Sequence, residues 1–275
     1  MGSLPGVGYL HGIWRTRYFW LSLIKNDLET RYRRSLLGIG WSLIKPLCMT
    51  AVLCTVFAKL FDQNPSDYAP FLLLGLTTWQ FLTESMIAGC NCFRQGAAYI
   101  KQQRMPLGIF PIRTVLAIGV HQLIALTLAI GLACIFRGPP GAATGIGSPW
   151  ALVSLIPTLV LFLLLGCFLA TVLGVMHTHF GDTQYLLEIF LQIMYFLTPI
   201  IYDIKTLRDK SRGRLADFLE LNPFNALLEL VRRPVLDGLW PTLATYQTAL
   251  IFTAAVGVLA AVLLRRVERT LVFWI

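Results

Sequence analysis

Two sets of polar side chains recur at helical spacing inside otherwise apolar runs. Gln80, Glu84 and Asn91 stand at i, i+4 and i+11, with Thr77 beside them. Tyr185, Glu188, Gln192, Tyr195 and Tyr202 share a sector of about 100° on a helix with 3.6 residues per turn. A carboxylate facing lipid near the membrane centre costs at least about 2.5–3.5 kcal/mol, so both stripes must face protein or water. Tyrosine rings offer a flat apolar surface to sugar C–H faces, and the phenol, amide and carboxylate tips offer exchangeable hydrogen bonds. That combination suits the lining of a path for a hydroxyl-rich substrate. The same residues serve equally as hydrogen-bonding glue between helices or across a dimer, and the pattern leaves both uses open.

Other chemistries find little support. With no Gly-Lys dipeptide, the chain has no phosphate-binding P-loop. His177 and His179 flank Thr178 ahead of Asp182, which is not a zinc spacing. A membrane transferase acting on a lipid diphosphate would need clustered acids to hold Mg²⁺; the spans hold only Glu84 and Glu188, far apart. No Gly-x-Ser-x-Gly nucleophile turn is present. His121 and Gln122 read as packing residues, Lys59 and Arg113 as cations snorkelling from span ends. Lys45 precedes Pro46, where a local kink would let it reach the inner surface. No catalytic residue and no metal site is expected; the chain reads as a conduit without an energy source of its own.

The elements that carry these stripes follow from composition. Of 275 residues, 56% are hydrophobic and 13% charged, with a mean hydropathy of +0.67. A soluble domain carries about 25% charged residues. The pattern predicts an all-α integral membrane protein forming a single permease domain over 1–275. Six spans are expected at 37–60, 69–93, 107–136, 150–176, 184–202 and 246–264, each near the ~20 residues a bilayer core requires. No internal repeat is visible, which disfavours an inverted-repeat transporter. The six cysteines all lie in apolar runs and read as small core residues.

Before the first span, Leu21, Ile24, Leu28 and Tyr32 fall on one face and Lys25, Asn26, Glu29 and Arg33 on the other. This predicts an amphipathic helix over 18–35 lying in the membrane interface. Residues 1–14 are Gly-rich and predict nothing definite, and no cleavable signal is recognised there. Short flanks on one side of the spans carry twelve basic residues against one on the other, which places both termini in the cytoplasm. The net charge of +9 is thereby assigned to topology and anionic lipid, not to nucleic acid. The link 203–245 would lie outside; its apolar residues predict two short helices divided at Asn222-Pro223, dipping into the outer leaflet or capping a path.

The segment Arg31-x-Arg33-x-Ser35-x-x-Gly38-x-x-Trp41-x-x-x-x-Pro46 resembles the start of the permease subunit of type-2 ABC exporters for polysaccharides such as O-antigen, capsule and teichoic acid. Further likeness lies in Tyr99-Ile100-Lys101 through Pro106, in Thr198-Pro199-Ile200-Ile201-Tyr202, and in Asn222-Pro223 followed by Arg232. The resemblance implies a homodimer in the bacterial inner membrane bound to two cytoplasmic ATP-binding subunits, which would hold the ATP and Mg²⁺; no cofactor is expected on this chain. It implies ATPase coupling through Tyr99, Ile100, Lys101, Gln102, Gln103 and Arg104, and an outer gate including Asn222, Pro223 and Arg232. A lipid-linked glycan would pass Trp41, Gln80, Glu84, Tyr185, Gln192, Tyr195 and Tyr202, while Arg31, Arg33 and Arg34 would meet lipid head groups, the interface or the ATPase. One departure is Gly181-Asp182, where the family usually carries Arg-Asp; Asp182 is then expected to act mainly as a helix N-cap. The alternatives are a type-2 ABC permease for a drug or small lipid and, further off, a membrane glycosyl- or prenyl-transferase.

Overall fold

The helix Pro65–Cys90 (α4) is the element around which the others pack. Asn64 enters it in extended conformation, Pro65 sits where its missing N–H costs nothing, and Asp67 lies in the positively polarised first turn. The computed structural model describes residues 6–32, 38–102, 105–138, 148–204, 219, 222–268, 271 and 274. Among the described residues all regular structure is helical.

Around α4 stand α3 (Trp41–Leu60), α7 (Ile109–Arg137), α8 (Leu155–His179), α9 (Thr183–Leu197) and α10 (Pro223–Arg232). A 3₁₀ segment over Pro149–Ser154 leads into α8, and α11 (Leu243–Val267) packs mainly on α8 and α10. The α4–α8 contact is close because glycines form it: a Cβ on Gly89 would lie 2.5 Å from Ala170 Cα. In lipid, where apolar burial gives no driving force between helices, such close backbone approach supplies the packing contacts.

Among the described residues five helical segments are long and apolar enough to cross a membrane: Leu43–Leu60, Pro65–Cys90, Ile109–Phe136, Pro149–His179 and Leu243–Val267. They match five of the six expected spans to within a few residues. The expected span 184–202 does not form one continuous helix. α9 has 15 residues, which at 1.5 Å each reach about 22 Å against a core of about 30 Å. It ends because Thr198 precedes Pro199 and is pushed into extended conformation (φ −101°, ψ 135°).

The chain enters this bundle through α1 (Gly6–Arg15) and α2 (Arg17–Tyr32). Helix α1 is a structure the Gly-rich sequence did not predict. The Thr16 hydroxyl at the junction donates to Gly12 O and Ile13 O, both at 3.1 Å, and Trp20 Nε1 donates to Ile13 O at 3.1 Å. Helix α2 packs on α7 through Leu23 and Ile24, with Asp27 and Leu28 half-buried, while Lys25, Asn26 and Glu29 are exposed. Leu21, on the expected apolar face, is exposed. The buried face is turned toward Asp27 because Asp27 is bound to Arg113 at the start of α7. Residues 33–35 of the expected helix lie outside the described residues. Gly38 then adopts a left-handed φ of 50°, open to glycine without steric cost, as the chain turns into α3.

Two short helices, α5 (Cys92–Gln95) and α6 (Ala97–Gln102), follow α4 at the same end of the bundle. The first of the two helices expected in 203–245 lies mostly outside the described residues. The second is α10, and it is not an exposed loop: Phe224, Leu227, Leu228, Leu230 and Val231 are buried against α4, α8 and α11.

Candidate functional site

Neighbouring residues of α4 face two different cavities. Trp79, Thr83 and Ile87 face α9, where with Glu188, Leu191, Gln192, Tyr195 and Phe196 they line an open groove of about 350 Å³. Gln80 and Glu84, one position further on, face α3 and α7. There they line a more enclosed cavity of about 240 Å³ with Trp41, Lys45, Thr77, His121 and Gln122. The two polar stripes are therefore not brought to one surface. Successive residues on a helix point about 100° apart, and a shift of one position moves a side chain from one neighbour to another.

The groove has an aromatic floor and a polar rim. Trp79 meets Tyr195 edge-on at 6.1 Å between centroids and Phe224 of α10 at 5.6 Å; Phe224 in turn meets Phe252 of α11 at 5.7 Å. This aromatic chain ties the groove to α10. At the groove's other end Asn91 Nδ2 donates to Gln184 Oε1 at 2.8 Å, and Gln184 Nε2 donates to Glu188 Oε1 at 2.9 Å. Asn91 and Gln184 thus join α4 to α9, while the Gln184–Glu188 bond stays within α9; Gln192 is exposed and Tyr195 only partly covered. Tyr185, 68% exposed, lines neither cavity. Tyr202 lies beyond the end of α9 and donates its hydroxyl to Phe196 O at 3.0 Å, so it caps the helix and does not line the groove.

On the opposite side of α4, Gln80 Nε2 donates to Glu84 Oε1 at 2.8 Å. Lys45, at the wall of this cavity, is exposed. His121 and Gln122, expected to be packing residues, are buried and line the wall. Trp41, the first residue of α3, is 55% exposed at one edge.

The break after α9 is tied by side chains from α4 and from α10 with its N-cap. Arg232, 8% exposed, donates from Nη1 to Pro199 O at 2.6 Å and from Nη2 to Ile200 O at 2.7 Å and Phe71 O at 3.3 Å. Its guanidinium also stacks 3.6 Å over the Phe71 ring. Tyr68 donates its hydroxyl to Ile201 O at 2.5 Å. Asn222 caps α10 by accepting from Phe224 N at 3.0 Å and donates to Thr198 Oγ1 at 3.2 Å. The carbonyls of Pro199, Ile200 and Ile201, which lie past the helix end, are thus paired inside the bundle, as buried backbone requires. Gly75 makes room for this, since a Cβ there would strike Arg232 Nη2. Asn222, Pro223 and Arg232 do come together, but as a tightly bonded knot.

At the opposite end, Tyr99 of α6 meets Phe19 of α2 edge-on at 5.4 Å. Ile100 is buried with Phe93, Leu107, Phe110, Val175 and Leu271, while Lys101 and Gln102 are exposed. Gln103, Arg104, Arg33 and Arg34 lie outside the described residues, and so does the side chain of Arg31. Arg113 is not a snorkelling cation: Nε and Nη2 pair with the two carboxylate oxygens of Asp27 at 2.5 and 2.6 Å. A lone cation at the start of an apolar span and a lone acid on the apolar side of the preceding helix were the available signals. Asp182 stands at the N-cap of α9 but makes no side-chain cap hydrogen bond, contrary to expectation. His177 Nε2 lies 3.3 Å from Arg94 Nη1, and His179 stacks on Trp274. Among the described residues no three His, Cys, Asp or Glu side chains gather as a metal site.

A family model described as ABC-2 type transporter matches residues 18–236, from α2 through the turn after α10. The chain belongs to the ABC-2 type transporter family. It is accordingly the multi-pass membrane subunit of a transporter, not an enzyme, and works with an ATP-binding subunit. It is similar to an O-antigen export system permease protein RfbA of Myxococcus xanthus, 27% identical over 217 residues covering 78% of this chain and 79% of that one. Two proteins of the same description from Klebsiella pneumoniae are 25% and 23% identical over 198 and 234 residues. They cover 71% and 84% of this chain, and 71% and 83% of their own lengths.

Proposed function

We propose that this subunit exports a lipid-linked polysaccharide of the O-antigen class across the bacterial inner membrane, driven by ATP hydrolysis in its partner. The observation that carries the reading is the α4–α9 groove, in which Trp79 and Tyr195 present aromatic surface beside the exposed amide of Gln192. Sugars are bound by this pairing of apolar ring faces with polar tips. The names of the relatives support the substrate class. Two copies of the chain, each a single permease domain, would pair with two ATP-binding subunits, with both termini cytoplasmic. ATP and Mg²⁺ would reside in those partners, and this chain would hold no cofactor.

In this reading α6 and the adjoining residues receive the ATPase's movement. Tyr99 passes it to α2 through Phe19, and Ile100 passes it to the inner ends of α7 and α8. The knot at Asn222 and Arg232 fixes the outer end, and the Trp79–Phe224 contact links groove and gate. Arg31, Arg33 and Arg34 would meet the phosphate of the lipid carrier or the ATPase. The test is export in a strain lacking its own permease, supplied with this chain, its ATP-binding partner and the polysaccharide pathway. The double variant Gln192→Ala, Tyr195→Ala is expected to abolish most surface polysaccharide while the complex still co-purifies. Undiminished export by a normally assembled double variant would overturn the groove's assignment.

A further inference from the structure

Glu188 stands in the α4–α9 groove without a task in the reading above. Its side chain is held by a row of amides: Asn91 Nδ2 donates to Gln184 Oε1, and Gln184 Nε2 donates to Glu188 Oε1. The second carboxylate oxygen takes no hydrogen bond among the described residues, and Glu188 is exposed. Among the described residues no lysine, arginine or histidine lines the groove, and none occurs in α9. The charge therefore has no counter-ion there. Packing does not require it either. The bond from Gln184 lies within α9, and a neutral amide at position 188 would accept it equally well. A carboxylate in a span is unfavourable unless it meets water or a polar partner, so its presence here points to what the groove holds.

Position sharpens the point. Glu188, Gln192 and Tyr195 stand at i, i+4 and i+7, so they follow one face of α9 over about 10 Å. Glu188 lies nearest the start of α9, where Gln184 meets Asn91 between α4 and α5. A chain entering from that end meets the carboxylate first, then the exposed amide, then the Tyr195 ring against Trp79. A carboxylate held in place accepts hydrogen bonds from sugar hydroxyls and takes an ammonium more strongly still. It repels a second carboxylate, and in a groove partly shielded from water the repulsion exceeds that in bulk solvent.

We propose that Glu188 selects the glycan by charge: sugar repeats that are neutral or carry an ammonium group are taken, and repeats that carry a carboxylate are excluded. The proposal rests on the groove being the glycan's path, and it names the class of sugar that path accepts.

The test uses the full chain in complex with its ATP-binding partner in lipid nanodiscs. The probes are hexamers of β-linked glucose, glucosamine and glucuronic acid with the same linkage, in mildly acidic buffer so that the amines are protonated. Saturation-transfer NMR, which reads weak binding, gives the affinity of each. The same titrations on the double variant Gln192→Ala, Tyr195→Ala subtract binding elsewhere in the complex. The glucosamine hexamer is expected to bind about tenfold more tightly than the glucuronic acid hexamer, with glucose between them. Glu188→Gln keeps the acceptor for Gln184 and is expected to bring the two charged hexamers to within about twofold of each other. Gln192→Lys sets an ammonium one turn from Glu188; it is expected to level or reverse the order, and it decides alone should Glu188→Gln fail to assemble. Where the double variant lowers binding, a preference that persists in both single variants would overturn charge selection. So would equal binding of the three hexamers by the unaltered complex. Binding undiminished in the double variant would overturn the groove reading, and charge selection with it.

Discussion

The two sides of α4 differ by one residue in register and by nearly everything else. Toward α9, Trp79 and Thr83 face an open, aromatic groove with no ion pair among its described lining residues. Toward α3 and α7, Gln80 and Glu84 face an enclosed cavity of mixed charge. In the reading proposed above, the open wall is the one along which a glycan slides. Polarity along a span says that a face is protected from lipid, but not from which neighbour the protection comes.

The sharpest way to break this comparison is to release α9. Arg232→Met removes the three backbone contacts at Pro199, Ile200 and Phe71 and leaves the carbonyls buried and unpaired. A loss of about 3–5 kcal/mol is expected, read as a large fall in the melting temperature of the purified complex. Gly75→Ala drives a methyl into the same guanidinium and should cost less, about 1–3 kcal/mol, by the same measurement. Next comes Asp27→Asn, which breaks the pairing of α2 with α7. With Arg113 largely covered and Asp27 partly exposed, a loss of about 1–2 kcal/mol is expected. The double exchange Asp27→Arg, Arg113→Asp should recover part of it. Trp79→Leu tests the groove itself. It removes two edge-to-face contacts, together about 1–3 kcal/mol before the leucine's own packing is counted, and should lower export more than it lowers stability.

Much of the fold could be read in advance because long apolar runs are an unambiguous signal in lipid. The helices at 41–60, 65–90, 109–137, 155–179 and 243–267 follow directly from that rule. The interruption at Thr198-Pro199 was harder, since residues 184–202 satisfy the same hydropathy test and only backbone sterics end the helix. The carbonyls freed there are paired by Tyr68, Arg232 and Asn222, which lie far apart in sequence. The Asp27–Arg113 pair is equally remote, 86 residues apart, and spacing rules reach only within one helix. In the candidate site, periodicity selected Gln192 and Tyr195 correctly as neighbours on one face. It also grouped Tyr185 and Tyr202 with them, although one is turned outward and the other lies beyond the helix end. Trp79, the groove's aromatic floor, went unnoticed because an apolar ring in an apolar run carries no contrast. Gln122 gives no signal for the opposite reason: a single amide in an apolar run shows no period.

Site-specific photo-crosslinking during ATP turnover compares the two walls of α4 most directly. A photoreactive residue is placed singly at Gln192, Tyr195, Gln80 or Gln122 in cells making the lipid-linked polysaccharide. Glycan adducts are expected at 192 and 195, dependent on an active ATP-binding subunit, with none at 80 or 122. Adducts at 80 or 122 with none at 192 or 195 would contradict the assignment of the α4–α9 groove as the glycan's path.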